Sequence, residues 1–473
     1  MPTWRVADLV HWTHGTLLRG DERQDVCGVS TDSRTVQAGN VFVALRGERF
    51  DGHRFAPDAV QRGAAGVVVS DTACLSAIAL NEKNEAGPAV IGVADTEKAL
   101  QDLAIAHRQR FQGSVVAVTG SNGKTTVKEM TAGVLQTWFS IHKASGNLNN
   151  HIGVPLAVLG LDVLKLAMVL ELGMNHLGEI SRLCEIARPD VGVITNIGLA
   201  HLGCLGSVEA IQQAKGELTT SLDTSGVAIV NADDPRALAL GQQSPAGRLI
   251  TFGQTQRAAV RGWVQEDLGL AGTRCCVVLD SITHEFRLHV PGTHQVMNAL
   301  AAAAVGMVFE VPAELIVRAL QHYRGVYGRL AMRRGQADVW LIDDTYNANP
   351  QSMQVALNVL AGVPGSGRHI AVLGDMLELG EGGPALHQEV GSLVSQTNVH
   401  TLIALGSTAE HIARGARQAG MARDRIHHAT SQQEVLGLLA ELMQPQDVVL
   451  LKGSRGMAME HLVEALVAEP GGP

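Results

Sequence analysis

Aromatic side chains are scarce: 8 Phe, 5 Trp and 3 Tyr give only 3% of 473 residues, so apolar burial must rest on Ala, Val, Leu and Ile. No apolar run reaches the ~18 residues needed to cross a bilayer, which excludes a membrane-spanning helix and predicts no membrane insertion. The opening Met-Pro-Thr-Trp-Arg lacks the apolar core and cleavage site of an export signal, and the expected location is cytoplasmic. No block of Lys or Arg stands out among 37 basic and 46 acidic side chains, and the net charge of -9 argues against nucleic acid as a partner. The six cysteines (Cys27, Cys74, Cys184, Cys204, Cys275, Cys276) form no C-x-x-C pair, which points to buried reduced thiols rather than a zinc site or disulfide framework. Internal repeats, heptads and low-complexity linkers are also lacking.

What is present is 46% hydrophobic residues, enough for sizeable cores, and a length that suggests about three domains. Residues 1–112 hold short β-like runs, Val41 to Leu45 and Ala65 to Val69, closed by a helical stretch from Thr96 to Phe111. From Val115 strands and helices alternate: Val115 to Thr119 before Thr125 to Phe139, Leu166 to Leu172 before Glu179 to Ala187, Val191 to Asn196 before Val208 to Leu222. That order implies βαβ units and a largely parallel sheet, followed by a β-rich stretch, Leu249 to Val290, and an Ala-rich helix, Gln295 to Val308. A third alternation, through Val339 to Ile342, Ile370 to Leu373, Thr401 to Leu405 and Val448 to Leu451, predicts an open doubly wound sheet. The expected class is α/β with three domains, 1–112, 113–323 and 324–473, and a hinge over 323–330 where Gly325 and Gly328 fall. The ending Pro470 to Pro473 reads as a frayed tail.

The strongest local signal is Thr119-Gly120-Ser121-Asn122-Gly123-Lys124-Thr125-Thr126, between an apolar strand and a helical period. In that setting glycines let backbone N–H groups curl around phosphate oxygens, and the helix N-terminus adds positive potential. Lys124 can reach the β/γ-phosphates of ATP, and Thr125 can bind Mg²⁺. The loop is a short form: Val118 stands six places before Lys124, so two residues separate the glycines.

Acidic partners for a metal are expected at the C-terminal ends of later strands. Glu171 and His201 follow such strands, and Lys215 lies fourteen residues beyond His201 in a helix. Singly they read as a solvated strand end, a capped loop histidine and a helix-surface lysine; beside the phosphate loop they form a metal constellation. Asp343-Asp344-Thr345-Tyr346-Asn347-Ala348-Asn349-Pro350 bunches acids and amides after a strand end, suited to a nucleotide or an amine, or to turn chemistry alone. Lys452 to Gly456 is a compact basic loop.

Together these strings resemble the ATP-dependent Mur ligases of peptidoglycan synthesis. The likeness runs from Ser30-Thr31-Asp32-Ser33-Arg34 and Ala44 to His53, through Thr119 to Thr126, Gly146 to Gly153, Glu171 to Gly173, Ala200 to Leu202 and Ala214 to Glu217, to Asp344 to Pro350, Leu373 to Gly380 and Lys452 to Gly456. The Gly-Asn-Leu-Asn-Asn, Tyr-Asn-Ala-Asn-Pro and Gly-Asp-Met-Leu-Glu-Leu-Gly strings match the member that joins D-Ala-D-Ala to UDP-N-acetylmuramoyl-tripeptide. The resemblance implies a monomeric ligase with a small N-terminal α/β domain for the UDP-sugar, a central P-loop ATPase domain and a C-terminal Rossmann-like domain for the dipeptide.

It further implies that Thr119 to Thr126, Asn298, Arg329 and Asp344 contact the nucleotide, and that Lys124, Glu171, His201 and Lys215 are catalytic. Thr125, Glu171, His201 and a carbamoylated Lys215 would bind metal. Ser30, Thr31, Asp32, Ser33, Arg34, Gly47, Asp51, His53, Asn149, Asn150, Asn347 and Asn349 would contact substrate. Gln295 departs from the pattern, since related ligases often have Asn there. Folylpolyglutamate synthetases resemble the phosphate-loop region but lack a comparable first domain. Another Mur ligase, adding a single amino acid, would share the ATP site, and a non-catalytic nucleotide module would bind ATP without turnover.

Overall fold

The strand-helix alternations fold into three main sheets, each ordered as parallel pairing with crossover helices requires. They are seen in a computed structural model that describes residues 2–47, 50–76, 87–144, 146, 148–364 and 367–468. Glu48 and Arg49 of the first-domain string, Asn147 of the asparagine string and the ending Pro470 to Pro473 lie outside the described residues.

The first sheet has five strands in the spatial order Thr16–Arg19, Ala89–Gly92, Gly66–Val69, Val41–Val43, Val29–Ser30. All its neighbours are parallel except the pair made by Thr16–Arg19. The central sheet has nine strands, with Ser114–Thr119 between Ala167–Glu171 and Val191–Ile194. Its inner parallel strands Ala167–Glu171, Val191–Ile194 and Val227–Asn231 are buried along their length, as continuous apolar runs require when helices cover both faces. The β-rich stretch supplies Arg248–Gly253, Val260–Asp267, Thr273–Leu279 and Ile282–Leu288, the last two antiparallel at the edge.

The third sheet places Trp340–Asp344 beside Val448–Lys452, then His369–Gly374, Thr401–Leu405 and Ile426–Ala429 in parallel, with Ala331–Arg334 antiparallel at one edge. Ile426–Ala429 and Ala331–Arg334 escape a reading by apolar runs because they are four residues long and only partly buried. Asp343 and Asp344 lie inside the strand rather than after it, since their backbones pair with Leu451 and Lys452.

Among the described residues no helix is long and apolar enough to cross a membrane. The thiols are free, but only Cys184, Cys275 and Cys276 are buried; Cys204 is exposed on a short helical turn whose Leu202 and Leu205 face the core instead. Burial pushes the Cys184 and Cys275 thiols up to about 12, which keeps both protonated.

Candidate active site

The phosphate loop is built by the turn from strand Ser114–Thr119 into helix Lys124–Gln136. Gly120 and Gly123 have φ of 146° and 83°, and a Cβ on them would lie 1.9 Å from Thr195 Oγ1 and 2.4 Å from Asn298 Oδ1. Only glycine fits either place. The neighbouring strand end braces the loop: Asn122 N donates to Asn196 Oδ1 at 3.0 Å, Thr195 Oγ1 to Asn122 O at 2.6 Å, and Gly198 N to Ser121 Oγ at 2.7 Å. Thr119 Oγ1 donates to Leu172 O, tying the loop to the next strand. Thr126 is buried one turn into the helix.

Lys124 curls over this loop, its ammonium donating to Gly120 O at 2.8 Å and Ser121 O at 3.3 Å. Thr125 Oγ1 donates to Glu171 Oε2 at 2.7 Å, and Asn149 Nδ2 to Glu171 Oε1 at 2.8 Å. Burial pushes the Glu171 carboxyl up, but Lys124, Arg329 and the two hydrogen bonds outweigh it and hold the group below its ordinary value. Lys215 is 1% exposed rather than on the helix surface; burial, with Lys124 nearby, pushes its ammonium well below the usual range. Burial that disfavours the ammonium favours the neutral amine, the form that adds to dissolved CO₂, and a carbamate there would carry a charge opposite to that of nearby Lys124.

The opposite wall comes from the third sheet and the segment leading into it. Asp344 and Lys452 end adjacent parallel strands, with Nζ 2.6 Å from Oδ2, and Lys452 also donates to Asn347 O at 3.0 Å. The other oxygen of Asp344 accepts from Leu330 N, while Asp343 accepts from Gly328 N. Residues 328–330 are thereby bound to the C-terminal sheet, and Arg329 reaches from them toward the phosphate loop. Its Nη2 lies 3.4 Å from Thr125 Oγ1, and its guanidinium stacks 3.9 Å over the Tyr346 ring. Its Nε is buried without a hydrogen-bond partner, a donor suited to an anionic ligand in the cleft.

The structure thus gathers Ser121 to Thr126, Asn149, Asn150, Glu171, His201, Asn298, Arg329, Asp344, Asn347 and Asn349 around one cleft of about 770 Å³, with Lys215 buried within electrostatic reach of Lys124 and Glu171. Gln295 also lines it and accepts from Asn298 Nδ2 at 2.9 Å. The cleft does not include Ser30, Thr31, Asp32, Ser33, Arg34, Gly47, Asp51 or His53, which belong to the first domain. There Ser30 Oγ donates to Asp32 O, and Arg34 pairs with Asp32 at 2.7 Å, a hydrogen bond that lowers the Asp32 carboxyl to about 2. His53 is buried, its Nδ1 2.6 Å from Asp51 Oδ1 and its Nε2 accepting from Ser70 N.

The donor set suits a hard divalent cation: the Thr125 hydroxyl, the Glu171 carboxylate and the His201 imidazole fit, and Lys215 fits once it carries a carbamate oxygen. Among the described residues no cluster of three or more His, Cys, Asp or Glu could hold a metal by itself. Sequence reading missed Thr195, Asn196, His294, Gln351, Glu378 and Lys128. Asn196 was legible only as strand. Lys128 is buried one helical turn beyond Lys124 and donates to Ala144 O and Gly146 O, securing the segment that leads to Asn149. Burial lowers His294 to about 4, so it faces the cleft as neutral imidazole.

Fold and site together define a class: a P-loop enzyme whose phosphate loop is faced across one cleft by a second, doubly wound domain. Family models for the Mur ligase family catalytic domain, the Mur ligase middle domain and the Mur ligase glutamate ligase domain match residues 25–108, 118–306 and 328–455. The chain belongs to the Mur ligase family. It is 36% identical over 470 residues, 98% of each chain, to the UDP-N-acetylmuramoyl-tripeptide–D-alanyl-D-alanine ligase of Bacillus subtilis. A crystal structure of MurF from Acinetobacter baumannii matches 98% of this chain and 99% of its own, with 32% identity and a TM-score of 0.85. MurF ligase from Thermotoga maritima, solved in complex with ADP, matches 93% of this chain and 96% of its own, with 29% identity and a TM-score of 0.76.

Proposed function

We propose that this protein joins D-Ala-D-Ala to UDP-N-acetylmuramoyl-tripeptide, at the expense of ATP, in the synthesis of peptidoglycan precursor. The observation that carries the chemistry is the single cleft that sets Lys124, Thr125 and Glu171 opposite Arg329, Asp344 and Lys452. The choice of substrates rests on the full-length likeness to ligases of that name.

A carboxylate does not condense with an amine at neutral pH. The tripeptide carboxylate therefore takes the γ-phosphoryl group of ATP, giving an acyl phosphate and ADP. The neutral amine of D-Ala-D-Ala then attacks the acyl carbon, and phosphate leaves as the C–N bond closes and the amine proton is lost. The loop amides and Lys124 cradle the phosphates, and Arg329 brings a second positive charge from the other wall. A divalent cation on Thr125, Glu171, His201 and carbamoylated Lys215 supplies further charge neutralisation when bound. Asn298 lies against Gly123 on the nucleotide side, and Asp344, fixed by Lys452, faces it. Asn149, Asn150, Asn347 and Asn349 offer amides to the peptide substrates. Ser30 to Arg34, Gly47, Asp51 and His53 hold the uridine nucleotide, with domains divided at 112 and 323, and the protein acts as a cytoplasmic monomer.

The test is ADP and phosphate release with UDP-N-acetylmuramoyl-tripeptide, comparing D-Ala-D-Ala, single amino acids and no amine. Turnover with the dipeptide alone, yielding the pentapeptide product, is expected. Turnover with a single amino acid and a shorter UDP-sugar would overturn the substrate assignment while leaving the ATP site in place. Lys215→Ala should be inactive and partly restored by short carboxylic acids. Full activity of that variant would remove the carbamate.

A further inference from the structure

We propose that Glu378 is a positioning residue for His201, so that the metal-binding side of the central domain is completed only when the C-terminal domain is docked upon it. The proposal rests on the reading of His201 as a metal ligand and adds a residue from another domain that orients it.

His201 precedes the short turn Leu202–Leu205, and Glu378 lies just after strand His369–Gly374 of the third sheet, in the turn that leads to Gly380. The two side chains meet across the domain boundary, His201 Nδ1 3.0 Å from Glu378 Oε2. Their backbones meet as well, with Gly203 N donating to Glu378 O at 2.7 Å. A Cβ on Gly203 would stand 2.6 Å from both Glu378 O and Gly380 N, so the approach leaves no room for a side chain. His201 and Glu378 both have a left-handed backbone, with φ of 64° and 63°. Neither is a glycine, and such conformations persist where the surroundings over-determine them and cluster at functional contacts.

This contact has a chemical consequence for the imidazole. A carboxylate only accepts, so in the neutral, metal-binding form of His201 the ring proton is held on Nδ1 and the lone pair on Nε2, on a residue that lines the cleft. Metal-ligating histidines are held in this way by an outer carboxylate that fixes the ring's tautomer and orientation. Here the carboxylate belongs to a different domain from the ligand it orients. Undocking the C-terminal domain would release the ring, so metal affinity and docking are coupled.

The experiment uses the full-length enzyme with ADP and Mn²⁺ as the probe, counting bound Mn²⁺ by electron paramagnetic resonance, with kcat and the KM for ATP measured in parallel. Glu378→Ala should weaken one Mn²⁺ site about tenfold to a hundredfold and lower kcat more than it raises KM. Glu378→Gln, whose amide oxygen still accepts from Nδ1, should recover most of the affinity. Gly203→Ala, which keeps both side chains but blocks the backbone approach, should weaken the same site. If His201→Ala loses that Mn²⁺ while Glu378→Ala and Gly203→Ala keep it, the coupling is wrong. If His201→Ala binds Mn²⁺ as the wild type does, the ligand reading fails and the proposal falls with it.

Discussion

The central domain meets its two neighbours through interfaces of different material. Toward the first domain the contact is a shared apolar core: Trp4, Leu9, Leu100 and Leu103 pack in one cluster with Val158, Leu183 and Ile186. The helix Thr96–Gln109 carries that junction, with Arg108 donating to Ala187 O and Arg188 O, and His107 bridging Trp4 to Leu161 O. Toward the third domain the contacts are mostly hydrogen bonds: Asn349 and Gln351 on Asn122, Arg329 on Thr125, Glu378 on His201 and Gly203. Among the described residues, Leu270 is the central-domain side chain packed against the C-terminal core. A buried core is lost all at once, whereas partly exposed polar contacts exchange more readily with water. This contrast predicts that the first two domains move as one body and that the third opens over the cleft.

If that contrast holds, catalysis and stability separate by side. The largest effect is expected at the phosphate loop, on the opening side: Lys124→Met should lower kcat by about 10²–10³-fold. The melting temperature should fall little, because the desolvation of the ammonium is relieved as its attraction to Glu171 and its two loop hydrogen bonds are lost. Calorimetry beside an ADP-release assay checks both, and a large loss of stability would deny the separation. Next comes Leu103→Ala in the shared core, expected to cost about 2–5 kcal/mol in urea unfolding while kcat measured well below the transition stays within about twofold. The matching change on the other side, Leu270→Ala at a half-buried position, should cost about 1 kcal/mol. Equal costs would mean the two interfaces are alike.

The same contrast explains what the sequence could tell. The central and third sheets were legible because their parallel strands are apolar on both faces, and Glu179–Ala187, Gln295–Val308 and Thr401–Leu405 have the limits their patterns predict. The phosphate loop was legible because its glycines and lysine are adjacent in the chain. The pairing of Glu378 with His201 was not, since 177 residues separate them and neither has a local partner to betray it. Taken singly Lys215 reads as a helix-surface lysine, and only beside the phosphate loop as a metal ligand; the packed structure shows that its own face of the helix is inside. The turn Ser30 to Arg34 was legible as a motif, but its separation from the ATP cleft depends on how whole domains pack.

A smaller effect is expected from protonation at the first interface. Burial holds His107 below its ordinary 6.5, against the pull of the Leu161 carbonyl. The unfolded chain therefore takes up a proton, as pH falls below 6.5, before the folded chain does, and stability declines with falling pH. His107→Gln should flatten part of that decline. The measurement is the difference in melting temperature between two buffers, one above and one below that pH. An unchanged slope would place the titrating groups elsewhere.

The smallest effect sharpens the comparison most, because it concerns the opening side alone. Gln351 accepts from Asn122 Nδ2 at 3.4 Å, a long hydrogen bond between the third domain and the phosphate loop. Unlike Asn349, whose side chain also caps the helix Pro350–Ala361, Gln351 makes no cap, so its loss is confined to the interface. Gln351→Ala should leave the melting temperature unchanged and weaken closure by about 1 kcal/mol or less, a rise of up to about fivefold in the KM of the last substrate to bind. X-ray scattering with ATP analogue and UDP-sugar peptide reports closure directly: the wild type should contract, and the variant should need more ligand to do so. A wild-type profile indifferent to ligands would mean that the polar interface is as fixed as the apolar one, and that the cleft works without opening.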